Sequence, residues 1–326
     1  MRLVYFLLLI PSLAVAADVE TAVLRSAAQK GLHLLEKTSP NFIKTGGCNS
    51  CHNQMLPAGA QAFARKQGIT TGPPIEQLPP EVSEVTMERF IEYSTNPVGS
   101  AGYELFAFGA AGRPADARVD AQIYFIKSMQ EPEGYWRTTA NRPPLTFDDF
   151  TTTAYAIYAL KTYGSKVQSA DNETRLARAR SWLLEAKPET TQERTFHLLG
   201  LAWSKAGPEA LDKTARGLQA MQQKNGGWSQ LGAMSTDAYA TGMALWALHE
   251  GGVPASHVTY QKGLHFLLDT QAPDGTWHVK SRSLPVQPYF ESGYPYGHDQ
   301  WISAAGAAYA TMAIVAAVEP ERRAQR

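Results

Sequence analysis

The hydrophobic pattern comes in paired blocks. In IYFIKSM (Ile123 to Met129), GLQAMQ (Gly217 to Gln222) and GLHFLLDT (Gly263 to Thr270), apolar residues recur three and four positions apart, the spacing of one helical face. Each block leads into a polar segment with glycine and tryptophan: QEPEGYW (Gln130 to Trp136), QKNGGW (Gln223 to Trp228) and QAPDGTW (Gln271 to Trp277). After a loop comes an alanine-rich helical stretch: TAYAIYALKTYG, DAYATGMALWALHEGG and ISAAGAAYATMAIVAA. The unit is a helix, a Gly-Trp turn and a second helix.

Spacing counts the units. Trp228 and Trp277 are 49 apart and Trp136 and Trp228 are 92 apart, close to two periods of about 46. A unit lacking the turn motif is expected between them, and ARARSWLLEAK (Ala177 to Lys187) with RTFHLLGLAWSKAG (Arg194 to Gly207) supplies it. A further pair is predicted over Val82 to Tyr93 and Val98 to Ala111. At the start of the chain, Gly31 to Leu35 mirrors Gly263 to Leu267, and His52-Asn53-Gln54 mirrors His298-Asp299-Gln300. Six helical hairpins result, an all-α domain over residues 18–318 with a polar tail at 319–326. If they close into a ring, the first and last hairpins become neighbours.

Ahead of this domain, Arg2, an apolar run from Leu3 to Leu13 and the small-x-small triplet Ala14-Val15-Ala16 read as a signal peptide over residues 1–17, placing the protein in the periplasm or outside the cell. The rival is a membrane anchor, but the run is shorter than the roughly 20 residues a spanning helix needs. No later segment forms a stable membrane span. An apolar content of 44% is ample for a large core. Thirty basic residues balance thirty acidic ones without a basic stripe, so nucleic-acid binding has no support.

The two cysteines, Cys48 and Cys51, fall in CNSCH with His52. Chance produces this spacing with a following histidine about once in several thousand sequences of this make-up. The pattern suits one covalent haem c, with Cys48 and Cys51 as thioethers and His52 as proximal iron ligand. A redox dithiol or half of a zinc site are the alternatives. His298 would be the second axial ligand or, with Asp299, a distal acid/base group; its other reading is a cap in the loop YPYGHDQ. Arg142 and Arg282, with Arg137 and Lys280, would pair with the propionates or be solvated surface. Met55 lies one turn from His52, on the same side of the iron. The expected function is an exported haem protein, either an electron carrier with a redox partner protein or a haem-dependent oxidoreductase.

These turns with Gln, Gly and Trp resemble the QW motifs of the squalene-hopene cyclase and prenyltransferase-like α/α-toroid superfamily. The resemblance implies that the glutamines bond to backbone and the tryptophans pack in the turns, and that inner helices line a central cavity. Phe150, Tyr155, Tyr239, Trp246 and Trp301, with Tyr158 and Tyr309, would face it, forming either a plain core or a site for a small hydrophobic or isoprenoid-like ligand. Class II members protonate an alkene with the middle acid of D-x-D-D before a helix that begins Thr-Ala. Aligned on Thr153-Ala154, this chain has Thr151 at that place, which disfavours protonation-initiated cyclisation; a three-residue shift to Thr146–Asp149 still lacks the first acid. Asp148 and Asp149 then read as helix-start acids. Signal peptide, CxxCH and FESGYPYGHDQWISAA together resemble a bacterial group of squalene-cyclase-like toroids with a haem motif. They point to Phe290–Ala305 as a segment of functional interest. The alternative function is an isoprenoid- or lipid-binding or terpene-cyclase-like toroid in which CxxCH is a disulfide or carries no haem.

Overall fold

A computed structural model describes residues 19–46, 51–75, 96–145, 148–284 and 288–318. The signal peptide, Cys48, the expected helix from Val82 to Tyr93 and the polar tail lie outside the described residues. Among the described residues eleven α-helices follow in order: α1 (Thr21–Gly46), α2 (Leu56–Lys66), α3 (Pro97–Ala111), α4 (Ala117–Ser128), α5 (Asp149–Tyr163), α6 (Ser169–Glu185), α7 (Thr191–Trp203), α8 (Pro208–Gln219), α9 (Ala238–Glu250), α10 (Val258–Thr270) and α11 (Gln300–Ala316). Strand structure among the described residues is one antiparallel pair, Trp228–Ser229 with Thr236–Asp237. No described helix is long and apolar enough to cross a membrane.

The composition of the second helix in each hairpin explains its place. α3, α5, α9 and α11 are built from Ala, Gly, Thr and aromatic residues and are buried along nearly their whole length. A helix apolar on every side has to be covered on every side. These helices form an inner ring in which α2 packs on α3, α3 on α5, α5 on α7, α7 on α9, α9 on α11, and α11 back on α2. The ring closes. The first helices, α1, α4, α6, α8 and α10, lie outside, each packed on inner helices; α1 seals the joint between α11 and α2. Small residues let the inner helices approach: a Cβ on Gly242 in α9 would meet the Ala310 backbone of α11. The architecture is the expected α/α toroid.

Three turns carry the same fastening. The indole Nε1 atoms of Trp136, Trp228 and Trp277 donate to the carbonyls of Ile126, Leu218 and Leu267, capping the outer helix of their own hairpin at 2.6–2.9 Å. Gln130 and Gln271 each donate to the turn glycine carbonyl and to a carbonyl of a neighbouring outer helix, Arg175 in α6 and Ala27 in α1 respectively. In the middle turn the residue that does this is Gln222, which reaches Gly226 and Thr259, whereas Gln223 bonds Ser229; the sequence register there is corrected by one. Gln271 matters most, because its bond to Ala27 ties the last hairpin to the first.

Gly275 shows what the turn demands. Its φ is 89°, and an added Cβ would run into the Lys30 carbonyl of α1. Gly252 has a similar φ of 91° with open space around it. Urea unfolding should therefore show a loss of about 1 kcal/mol for Gly252→Ala, from backbone strain alone, and about 3 kcal/mol or more for Gly275→Ala. Equal losses would mean that the packing of this turn on α1 contributes nothing.

Candidate functional site

The starts of α5, α7 and α9 come together at one rim of the ring, where Asp148, Gln192 and Tyr239 meet. Asp148 is the N-cap of α5: its Oδ1 accepts from the Thr151 N–H at 2.7 Å. Its Oδ2 accepts from the Thr151 hydroxyl at 2.8 Å and from Gln192 Nε2, at the start of α7, at 2.7 Å. Three donors would hold an exposed carboxylate below its usual range, but Asp148 is buried and loss of hydration dominates, pushing it up to about 6. A group with that value can give or take a proton near neutrality. The expectation of a helix-start acid is met, and the burial adds what the sequence did not show.

From Asp148 the polar contacts run inward to a cluster of tyrosines. Gln192 Oε1 accepts from the Tyr239 hydroxyl at 2.8 Å. The Tyr239 ring meets Tyr309 edge-on at 5.4 Å, and the hydroxyls of Tyr309 and Tyr155 lie 3.0 Å apart. Tyr155 packs on Tyr103 at 4.3 Å, and Tyr103 donates to the Leu145 carbonyl at 3.1 Å. Burial raises all four phenols, so they act as neutral hydrogen-bonding groups. Below them Phe106, Trp203 and Trp246 complete the aromatic centre.

The corner where the ring closes holds Cys51 and His52, the described part of the cysteine motif. Cys51 and His52 open a π-helical turn, Cys51–Met55, that leads into α2. The His52 ring stands edge-on to Tyr103 at 5.0 Å, with Nε2 buried and without a hydrogen-bond partner. Burial and then the nearby Arg142 charge push His52 down to about 3, which keeps it neutral. Burial likewise pushes the Cys51 thiol up to about 11, offset in part by a hydrogen bond with Ser100. Asn53, Gln54 and Met55 are buried beside it. No group of three or more potential metal-ligating side chains assembles among the described residues.

Other residues singled out from the sequence are dispersed. His298 is exposed in the short turn Gly297–Asp299 before α11 and packs on Tyr289 at 4.3 Å, so its ring points to a different partner from that of the inward-facing His52. Asp299 accepts from His278 Nε2 at 2.7 Å and from the Ser281 N–H at 2.8 Å, a loop-fixing role. Arg142 faces the Cys51–His52 corner, while Arg282 donates to Gln230 at 2.8 Å and, half-buried, lies near Asp237 and Tyr239. Of the aromatic set, Tyr155, Tyr239 and Trp246 occupy the centre. Phe150 turns instead to Trp182 and His197 on the outer side, and Trp301 packs with Phe42 and Phe290 at the rim. Gln192 and Tyr103 were not anticipated, since neither belongs to a recurring motif.

No family model and no curated protein matches the chain. Its fold is shared with a type II terpene cyclase from Scytonema, solved with the product merosterolic acid A (TM-score 0.59, 14% identity, 91% of this chain and 98% of that one). The same cyclase with the substrate geranylgeranyl dihydroxybenzoate gives a TM-score of 0.58 at 12% identity, over 91% of this chain and 98% of that one. A possible member of the GH105 family from Salmonella enterica gives 0.54 at 12% identity, over 97% and 99%. These are α/α toroids, not cytochromes. The expectation of an exported haem protein, acting in electron transfer or as a haem-dependent oxidoreductase, is therefore corrected; the likeness favours the cyclase-like alternative at the level of fold.

The raised value at Asp148 has a consequence for stability. The folded protein holds the Asp148 proton more tightly than the unfolded chain, so this contribution is full below about pH 4 and is lost as pH rises through about 6. Comparing the wild type with Asp148→Asn in urea, the wild-type advantage should shrink by about 2 kcal/mol between pH 4 and pH 7. A difference independent of pH would show that Asp148 titrates as an ordinary exposed carboxyl.

Proposed function

We propose that the protein is a terpene-cyclase-like toroid that takes a hydrophobic, isoprenoid-like molecule into its ring from the rim where α5, α7 and α9 begin. The observation that carries this reading is Asp148: a buried carboxyl, held by Thr151 and Gln192 and pushed up to about 6, at the edge of a centre packed with aromatic rings. The fold likeness to a cyclase that binds geranylgeranyl dihydroxybenzoate supports it.

The middle acid of D-x-D-D is replaced by Thr151 in this chain, so the proton has to come from the buried Asp148 instead. Protonated Asp148 gives its proton to one carbon of an alkene, whose π electrons form the new C–H bond and leave a carbocation on the other carbon. Thr151 N–H, Thr151 hydroxyl and Gln192 amide already point at Asp148 and stabilise the carboxylate left behind. The faces of Tyr155, Tyr239, Trp246 and Tyr309 offer negative quadrupole to the cation. Loss of a proton from a neighbouring carbon ends the reaction as an isomer of the substrate and restores the acid. Because Tyr155, Tyr239 and Trp246 are closely packed, admission of a prenyl chain has to part these rings.

Titrating the protein with geranylgeraniol should therefore shift its tryptophan fluorescence, and chromatography with mass detection should find an isomer of unchanged mass. Asp148→Asn should keep the binding and lower isomer formation by at least about 100-fold. Binding without any isomer from the wild type would reduce the protein to a prenyl-binding toroid; no binding would remove the proposal altogether.

A further inference from the structure

On the outside of the ring, where α6 and α8 lie against α7, the surface sinks into a pocket of about 580 Å³. Leu184, Pro188, Leu201 and Ala210 give it an apolar floor, and Leu184 remains 55% exposed there. The charged side chains lining it are Lys187, Arg194 and Lys213 against a single carboxylate, Glu209. His197 adds no charge near neutrality, because burial and then its bond to the Leu183 carbonyl and the Arg194 cation leave it, on balance, below its usual range.

Arg194 is the informative residue. Its Nε is buried and has no hydrogen-bond partner, a costly state for a guanidinium N–H. Beside it stands Gly217 of α8, where an added Cβ would be in ordinary contact, 3.6 Å from Arg194 Nη1, so a side chain at this position would fill the groove next to the guanidinium. A planar donor fork beside an apolar floor matches a carboxylate or phosphate that carries a hydrocarbon chain. The volume lies in the range of small-ligand sites, about 300–1,000 Å³.

We infer that this groove is a second binding site, separate from the lumen, for a small amphiphile with an anionic head: the head on Arg194 with Lys187 and Lys213 at the mouth, the chain along Leu184, Leu201 and Ala210. The site does not depend on the function proposed for the ring.

Calorimetric titration of the full chain with octyl phosphate, octanoate, octanol and inorganic phosphate tests it. Octyl phosphate and octanoate should bind with one-to-one stoichiometry, and octanol and inorganic phosphate at least about tenfold more weakly, since each lacks half of the recognised chemistry. Arg194→Gln should weaken octyl phosphate at least about tenfold, and so should Gly217→Leu, which fills the groove from α8 and leaves the arginine itself in place. Asp148→Asn should leave this binding unchanged while acting on the lumen. Octanol or inorganic phosphate binding as tightly as octyl phosphate, or indifference to both groove variants in protein whose melting is unaltered, would overturn the inference.

Discussion

The inner helices α3, α5, α9 and α11 have almost no polar side to turn toward water, and much of the molecule follows from having to cover them. α9 and α11 are buried on nearly every residue, so each needs a helix on both flanks and another outside. An open row of hairpins would leave two such helices half bare. The ring removes both ends at once, with α11 on α2 and α1 across the joint. The Gln-Trp turns then act as fastenings: the indole caps one outer helix while the glutamine holds the next, and the bond from Gln271 to Ala27 does this where the two ends of the chain meet.

Closure also sets the electrostatics of the site. The N-termini of α5, α7 and α9, which carry partial positive charge and unpaired N–H groups, collect at one rim. Asp148 and Asp237 answer that need as N-caps. Both nevertheless sit above the usual carboxylate range, because burial outweighs the hydrogen bonds and, for Asp237, the nearby Arg282. The same geometry that makes a good cap thus makes a carboxyl that holds its proton in an aromatic surrounding. The tyrosines allow it to be buried at all, since Tyr239 and Gln192 connect its polar shell to the other phenols in place of water.

The outside of the ring is less uniform. Three turns carry the Gly-Trp fastening, whereas α6 and α7 are joined by a plain segment that ends in a capping box of Thr190 and Glu193. The groove with the unpartnered Arg194 lies next to this junction, between α6 and α8 over α7. The part of the repeat that departs from the pattern is also where the outer layer leaves the inner one accessible.

Much of this was written along the chain. The repeat of helix pairs, the turn glycines, the tryptophans and the helix-start acids are local or periodic features, and local chemistry requires them wherever the chain goes: a turn with positive φ wants glycine, and a helix start wants a capping oxygen. In the middle turn Gln222, four before Gly226 and six before Trp228, keeps the spacing of Gln130 and Gln271 in their turns, and its contact with the next outer helix agrees. A helix apolar all round carries no pattern that says which face looks inward, so Phe150 and Trp301 could not be told from Tyr155 and Tyr239 until the neighbouring helices were in place. The burial of Asp148, its partner Gln192 forty-four residues away, the inward turn of His52 and the outward turn of His298 were likewise decided by the closed ring. Sequence fixes what each segment needs; only tertiary packing decides which groups lose water and which distant groups meet, and those two outcomes set the chemistry.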